Sequence, residues 1–482
     1  MDTVKRKYGL FTGIVLVVGT VIGCGVFIKS GAVMKVTGGS LPLSLVAWLI
    51  GGLIMVAGAF CFGVYATRVE KFNGCVDYIE YASNRTVGYY FGYFLGMISF
   101  PIITSHVAIV GSSYLVACFT KDESLYNWGS WLVLVIALSL LTIFFLLNYF
   151  APKIAHKFQV SILFVKVAPI IIVILVGLFS KLISPENGII NAFINPGISR
   201  PDLGVEVTNN FGEAIKITSF AYDGWICVAA FNAEFKDSKR TLPKAIMGGT
   251  VAVVIFYVLY FIGASAIVGN QELINNAAIN NGMFAVLPVF TKLMGFAGEI
   301  IILVLVFGSC MGSTNVMVTT TSRTFIALGI RGEGFMPKRM AETRGDDFSA
   351  APYLFTYGMI ALFTFIWYLA LRGDIPFFNY LDDMDTIVCS LVYGGYIVVY
   401  IYIIKNFKDE NVIKRYIMPI ISIIGSLFFI VCGTGIYQLI AGQGPESLIK
   451  FACFLALAVI VYIPGIVVYH VNGQNKLPAS VI

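Results

Sequence analysis

Apolar runs of 18 residues or more recur along almost the whole chain, and nothing else in it restricts the architecture as much. Inside hydrocarbon a backbone must satisfy its own N–H and C=O groups, so each run is expected to wind into a membrane-spanning helix. Twelve spans are expected, at roughly 9–29, 41–66, 89–118, 129–150, 156–180, 211–231, 245–269, 297–321, 353–371, 385–405, 416–440 and 448–471. Only 12% of the residues are charged, about half the usual share of a soluble domain. No segment between the runs is long enough for a soluble domain. Residues 1–482 therefore read as a single transmembrane domain.

Lysine and arginine set the expected orientation. With the N-terminus in the cytoplasm, inner loops and tails hold about 22 of them and outer loops about 8. The inner set includes Lys5-Arg6-Lys7, Arg68, Lys71, Arg85, the Lys236 to Lys244 segment, Arg323 to Arg344, Lys405 to Arg415 and Lys476. Both termini are thus expected inside. Helix orientation accounts for the net charge of +6, so no nucleic-acid partner is implied. The first run has no convincing cleavage site and reads as an uncleaved helix. The nine cysteines lie mostly in apolar segments, with no CxxC or metal-ligand spacing. Neither a disulfide nor a metal nor a cofactor is expected.

Two spans carry an anomaly. The first contains Gly19-Thr20-Val21-Ile22-Gly23-Cys24-Gly25-Val26-Phe27, where two glycines flank one small residue and helix propensity is low. The sixth contains Ser219-Phe220-Ala221-Tyr222-Asp223-Gly224-Trp225, with a glycine beside an intramembrane acid. A break there would aim free N–H groups and a positive dipole end from one half-helix, and unpaired carbonyls from the other. Such a pair can hold a carboxylate and an ammonium at once, as an amino-acid zwitterion requires. The competing reading of the glycines is close helix packing. Two broken spans five helices apart fit an inverted repeat, about 9–183 against about 211–405, with extra helices at about 416–471. Turn signals at Pro185, Asn187-Gly188 and Pro196-Gly197 read as an external cap or gate over residues 181–210.

Several motifs in order resemble a known family: residues 19–27, Tyr-Ile-Glu-Tyr at 78–81, Phe-Ala-Tyr-Asp-Gly-Trp at 220–225, Lys239-Arg240-Thr241-Leu242-Pro243, and Arg331-Gly332-Glu333-Gly334-Phe335-Met336-Pro337. The chain resembles the L-amino-acid transporter branch of the amino acid–polyamine–organocation superfamily, above all its bacterial serine/threonine and alanine-serine-cysteine exchangers. The resemblance implies an all-α, leucine-transporter-type 5+5 fold with spans 1 and 6 unwound at mid-membrane. It implies sodium-independent exchange of small neutral L-amino acids across the plasma membrane by alternating access. The N–H groups around Gly23, Cys24 and Gly25 would hold the carboxylate, and carbonyls near Val21, Ile22, Phe220, Ala221 and Asp223 the amine. Phe220 would cover the substrate, and Trp225 would line the second half-helix.

Lys166 lies mid-span, about ten residues or 15 Å from the nearer end. A lysine there costs about 2.5–3.5 kcal/mol on insertion scales, which argues against a lipid-facing side chain. The resemblance places it where sodium sits in sodium-coupled relatives. Tyr257, Ser309, Ser313 and Asn315 are its candidate neighbours, with core packing as the alternative for each. His106 departs from the family, which tends to carry a small apolar residue there, and is a candidate for selectivity or a proton role. Cys24 stands where the family's first motif commonly has Ser. Val64-Tyr65 and Asn73-Gly74 depart from the family's Glu and Gly-Gly around span 2. Asp382, Asp383 and Asp385 read as a solvated rim, and Glu213 and Lys216 as an i, i+3 pair.

Three other functions compete. Proton-coupled uptake would use His106 or Lys166. An intramembrane enzyme is disfavoured: Tyr222-Asp223 resembles half of an aspartyl protease signature, but Gly-x-Gly-Asp, HExxH and Gly-x-Ser-x-Gly are absent. An amino-acid sensor would need a longer signalling tail. The family's eukaryotic members pair with a heavy chain through an external cysteine between spans 3 and 4. The Thr120 to Ser130 loop has none, so a bacterial-type protein working alone as a monomer in the lipid bilayer is expected.

Overall fold

The computed structural model describes residues 8–69, 74–183, 186–277, 286–344 and 347–472. The Lys5-Arg6-Lys7 tail, Lys71, Asn73, Pro185 and Lys476 lie outside the described residues. The fold is helical apart from two short paired strands, Thr343–Arg344 and Asp347–Phe348. Its principal helices are α1 (Leu10–Val21), α2 (Gly25–Lys35), α3 (Leu41–Arg68), α4 (Arg85–Ala117), α5 (Trp131–Phe150), α6 (Pro152–Leu178), α7 (Phe211–Ala221), α8 (Ser238–Val268), α9 (Leu287–Ile330), α10 (Ala350–Arg372), α11 (Met384–Asn406), α12 (Ile413–Gly433) and α13 (Glu446–Asn472).

Among the described residues ten helices are long and apolar enough to cross a membrane, and the α1–α2 pair, bent by 50°, makes an eleventh. The remaining expected span, 211–231, is split. An 11-residue α7 is followed by a ten-residue 3-10 helix, Trp225–Glu234. An 11-residue α-helix reaches only about 16 Å, half the hydrocarbon thickness. Other boundaries differ from expectation: α8 starts seven residues early, at Ser238, and α9 runs on to Ile330. Gly295, at φ 59° and ψ −143°, kinks α9 near its start. Gly435, at φ 79°, ends α12 early and sets Ile436–Ile440 apart as its own turn.

Local chemistry starts the helices. The hydroxyls of Ser40 and Ser130 and the amide of Asn84 accept from first-turn N–H groups of α3, α5 and α4. Small residues then let helices approach. A Cβ on Gly177 of α6 would lie 2.4 Å from the Gly263 Cα of α8, and one on Gly263 would lie 2.6 Å from the Val173 carbonyl oxygen. Helix α8 runs between α3, α1 and α6, while α9 packs on α4 and α6. The two breaks thus sit inside a close-packed bundle.

Charged residues tie both ends. At one end Tyr8 bonds as a strand to Glu234 (3.0 Å) and Lys236 (2.9 Å). There Arg323 pairs with Glu234 and lies 4.1 Å from the Phe231 ring centre. Arg331 bridges Asp77 and Glu80, and Arg85 holds Glu333 at 2.5 Å. Burial pushes the Glu333 carboxyl upward, and the two arginines draw it back only in part.

At the other end the acids expected to form a solvated rim do not all do so. Asp382 is exposed, but Asp385 is buried against Lys29 of α2 at 3.2 Å. Asp383 pairs with Lys216, which also meets Glu213 at 3.1 Å. Packing brings lysines from α2 and α7 to the start of α11, and buried charge needs such partners. The 186–210 connection, expected as a cap, is bonded to the end of α2 through Gly38–Thr208 (2.8 Å), Thr208–Lys35 (3.0 Å) and Gly197–Gly39 (2.9 Å).

Gly263→Val is expected to destabilise the protein by about 1–3 kcal/mol through overpacking. The check is the melting temperature in detergent; an unchanged value would mean that α6 and α8 are not in backbone contact.

Candidate functional site at two helix breaks

Helix α1 stops at Ile22, whose ψ of 97° leaves the helical region, and α2 resumes after Cys24. The residues between are buried. Winding would pair each N–H with a carbonyl four residues back, and the break prevents it. Among the described residues the N–H groups of Gly23, Cys24, Gly25 and Val26 have no partner. They form the positive end of α2.

Helix α7 stops at Tyr222, and Gly224, at φ 92°, turns the chain into the 3-10 helix. A left-handed φ is reached without strain only by glycine. Gly224 is the residue that starts that helix, and its N–H is accepted by the buried Asp223 carboxylate. The carbonyls of Ile22, Ala221 and Asp223 have no partner among the described residues, whereas that of Phe220 accepts the Asp223 N–H at 3.2 Å. Trp225 is turned away: its indole N–H donates to the Tyr393 hydroxyl at 3.2 Å, and its ring packs on Phe62 and Tyr396.

The two breaks touch. A Cβ on Gly25 would lie 2.8 Å from the Ala221 Cα, and one on Gly224 would lie 3.1 Å from the Thr20 carbonyl oxygen. Free N–H groups of one break therefore lie beside free carbonyls of the other. Phe220 and Cys24 border the same region and are buried.

Three side chains hold the first break from outside. The Lys166 ammonium, fully buried in α6, donates to the Gly19 carbonyl (2.5 Å) and to the Ser313 hydroxyl (2.8 Å). Tyr257 of α8 donates to the Val21 carbonyl at 3.1 Å. Ser309 of α9 donates to the Gly23 carbonyl at 3.0 Å. Thus Lys166, Tyr257, Ser309 and Ser313 are brought together around the break, while Asn315 is not. Its amide bonds Asn148 (2.8 Å) and Gln159 (3.3 Å), a separate polar network between α5, α6 and α9.

His106 of α4 lies on the other side of Phe220, with ring centroids 5.1 Å apart. It sits among Trp128 and Trp367, and its Nδ1 is 3.8 Å from the Asp385 carboxylate. The Lys29 ammonium lies 5.1 Å from the Phe220 ring centre. Sequence reasoning missed Trp128, Lys29 and Asp385 as neighbours of the breaks. Each stands near a span end, where an aromatic or charge normally marks the membrane surface.

The amino acid permease family model matches residues 8–466. The chain is 28% identical to the serine/threonine exchanger SteT of Bacillus subtilis (strain 168), over 99% of this chain and 98% of that one. It is 26% identical to the b(0,+)-type amino acid transporter 1 of Mus musculus, over 89% and 82%. It is 23% identical to the cystine/glutamate transporter of Pongo abelii, over 82% and 74%. These relatives are membrane transporters, not enzymes. By this match, and with helices apolar enough to cross a membrane many times, the chain belongs to the amino acid permease family.

Proposed function

We propose that this protein is a sodium-independent antiporter that exchanges small neutral L-amino acids of the serine, threonine, alanine and cysteine kind. The observation that carries this reading is the pairing at the two breaks. Unpartnered N–H groups at Gly23, Cys24, Gly25 and Val26 lie beside unpartnered carbonyls of Ile22, Ala221 and Asp223. Buried backbone groups are rarely left unsatisfied. A zwitterion supplies an anion for the first set and a cation for the second.

The Lys166 ammonium on the Gly19 carbonyl supports sodium independence, because a resident cation already occupies the outer side of the break. Serine/threonine exchange by a relative that spans almost the same length supports small substrates and exchange. On this reading the bundle is twelve spans in a 5+5 inverted repeat, and it crosses between inward and outward states only when loaded. The lysine and arginine distribution supports cytoplasmic termini in the plasma membrane. The Thr120 to Ser130 loop offers no cysteine for a heavy chain, and the Cys118 thiol donates to the Tyr114 carbonyl at 3.3 Å. The protein then works alone, as a monomer.

One observation favours proton-coupled symport as the second reading: a buried imidazole 3.8 Å from a buried carboxylate at His106 and Asp385. Uptake of labelled serine into proteoliposomes separates the two. Exchange requires internal amino acid and ignores sodium. Accumulation driven by a pH gradient alone would replace exchange with proton coupling.

Lys166→Ala is expected to lower exchange by about tenfold or more, the loss of one or two charge-assisted hydrogen bonds, while insertion persists. Full activity would remove the lysine from the site. Gly25→Val would force the two breaks apart. The substrate-induced rise in melting temperature should then vanish; a retained shift would place substrate elsewhere.

A further inference from the structure

We infer that His106 and Trp128 read a hydroxyl on the substrate side chain, which makes the protein selective for hydroxyl-bearing amino acids over alkyl ones of the same size. This rests on the exchanger reading above. His106 Nε2 and Trp128 Nε1 are both buried and have no hydrogen-bond partner among the described residues. Their rings meet edge to face with centroids 5.4 Å apart. Trp367, whose ring also packs on His106, already donates its indole N–H to the Ile102 carbonyl at 3.2 Å. Phe220, the third ring against His106, lies at the end of α7 beside the second break.

The two orphaned nitrogens differ in kind. The indole N–H can only donate. The imidazole Nδ1 lies 3.8 Å from the Asp385 carboxylate, beyond hydrogen-bond reach, so Nε2 can serve as donor or as acceptor. Lys29 and Asp385 pair with each other at 3.2 Å, so the charges beside His106 offset one another and favour a neutral side chain. A group that both accepts and donates can pair with the indole N–H and with Nε2 in either of its protonation forms. A hydroxyl does this with one atom, whereas a methyl does neither. Sites built this way reject the analogue that lacks the polar group, because their own groups are then left unpaired.

The test is the ratio of kcat/KM for serine over alanine in proteoliposome exchange, measured for the wild type, His106→Phe and Trp128→Phe. Both variants keep an aromatic ring; Trp128→Phe removes the indole N–H and His106→Phe removes both ring nitrogens, and either decides the matter if the other fails to insert. The ratio is expected to fall about five- to tenfold in each, the loss of one hydrogen bond, mainly through the KM for serine. An unchanged ratio, or equal losses for serine and alanine, would overturn the assignment and leave the two nitrogens with a bound water or a purely structural role. Absence of exchange by the wild type for both amino acids would instead remove the exchanger reading beneath it.

Discussion

A backbone polar group in hydrocarbon must find a partner, and that requirement shapes the centre of this protein. Interrupting one helix at Ile22–Cys24 frees carbonyls and N–H groups in a place without bulk water. Three of the carbonyls are taken by side chains that reach in from other helices: Gly19 by Lys166, Val21 by Tyr257, and Gly23 by Ser309. The N–H groups on the other side of the break have no such partner among the described residues. The surrounding helices thus hold the break open on one flank and leave its other flank polar.

The buried charges follow the same logic with different partners. Lys29, Lys216 and Arg323 each meet a carboxylate from another element, at the two ends of the bundle. Breaking such a pair leaves a buried charge uncompensated, a heavy cost in low dielectric. Lys166 differs, since a carbonyl and a hydroxyl hold it. Its charge is spread over dipoles of the broken helix, which couples α6 and α9 to the state of α1.

Much of the architecture was legible in the chain because apolar length is a local property. Most long spans were found within a few residues, although 245–269 begins at Ser238 and 297–321 extends over Leu287–Ile330, and Gly23, Gly25 and Gly224 marked both interruptions by their weak helix propensity. Lys166 stood out because an ammonium in mid-span has few places to go. What was not legible depends on contacts between distant segments. Nothing local says that Asp385 is buried by Lys29, 356 residues away. Asn315 lies two residues from Ser313 yet turns to Asn148 and Gln159. Trp128 stands at a span end, where aromatic residues usually mark the membrane surface, yet it is buried against His106. The 3-10 winding after Gly224 is likewise a tertiary outcome, since runs of that length are uncommon on their own.

The closeness of Gly25 to Ala221, and of Gly224 to Thr20, has a mechanical side. At both crossings main chain lies against main chain, with the Ala221 methyl and the Met317 methyl alongside. Contact this close leaves little room for one interrupted rod to slide past the other, and braces the two like meshed cogs.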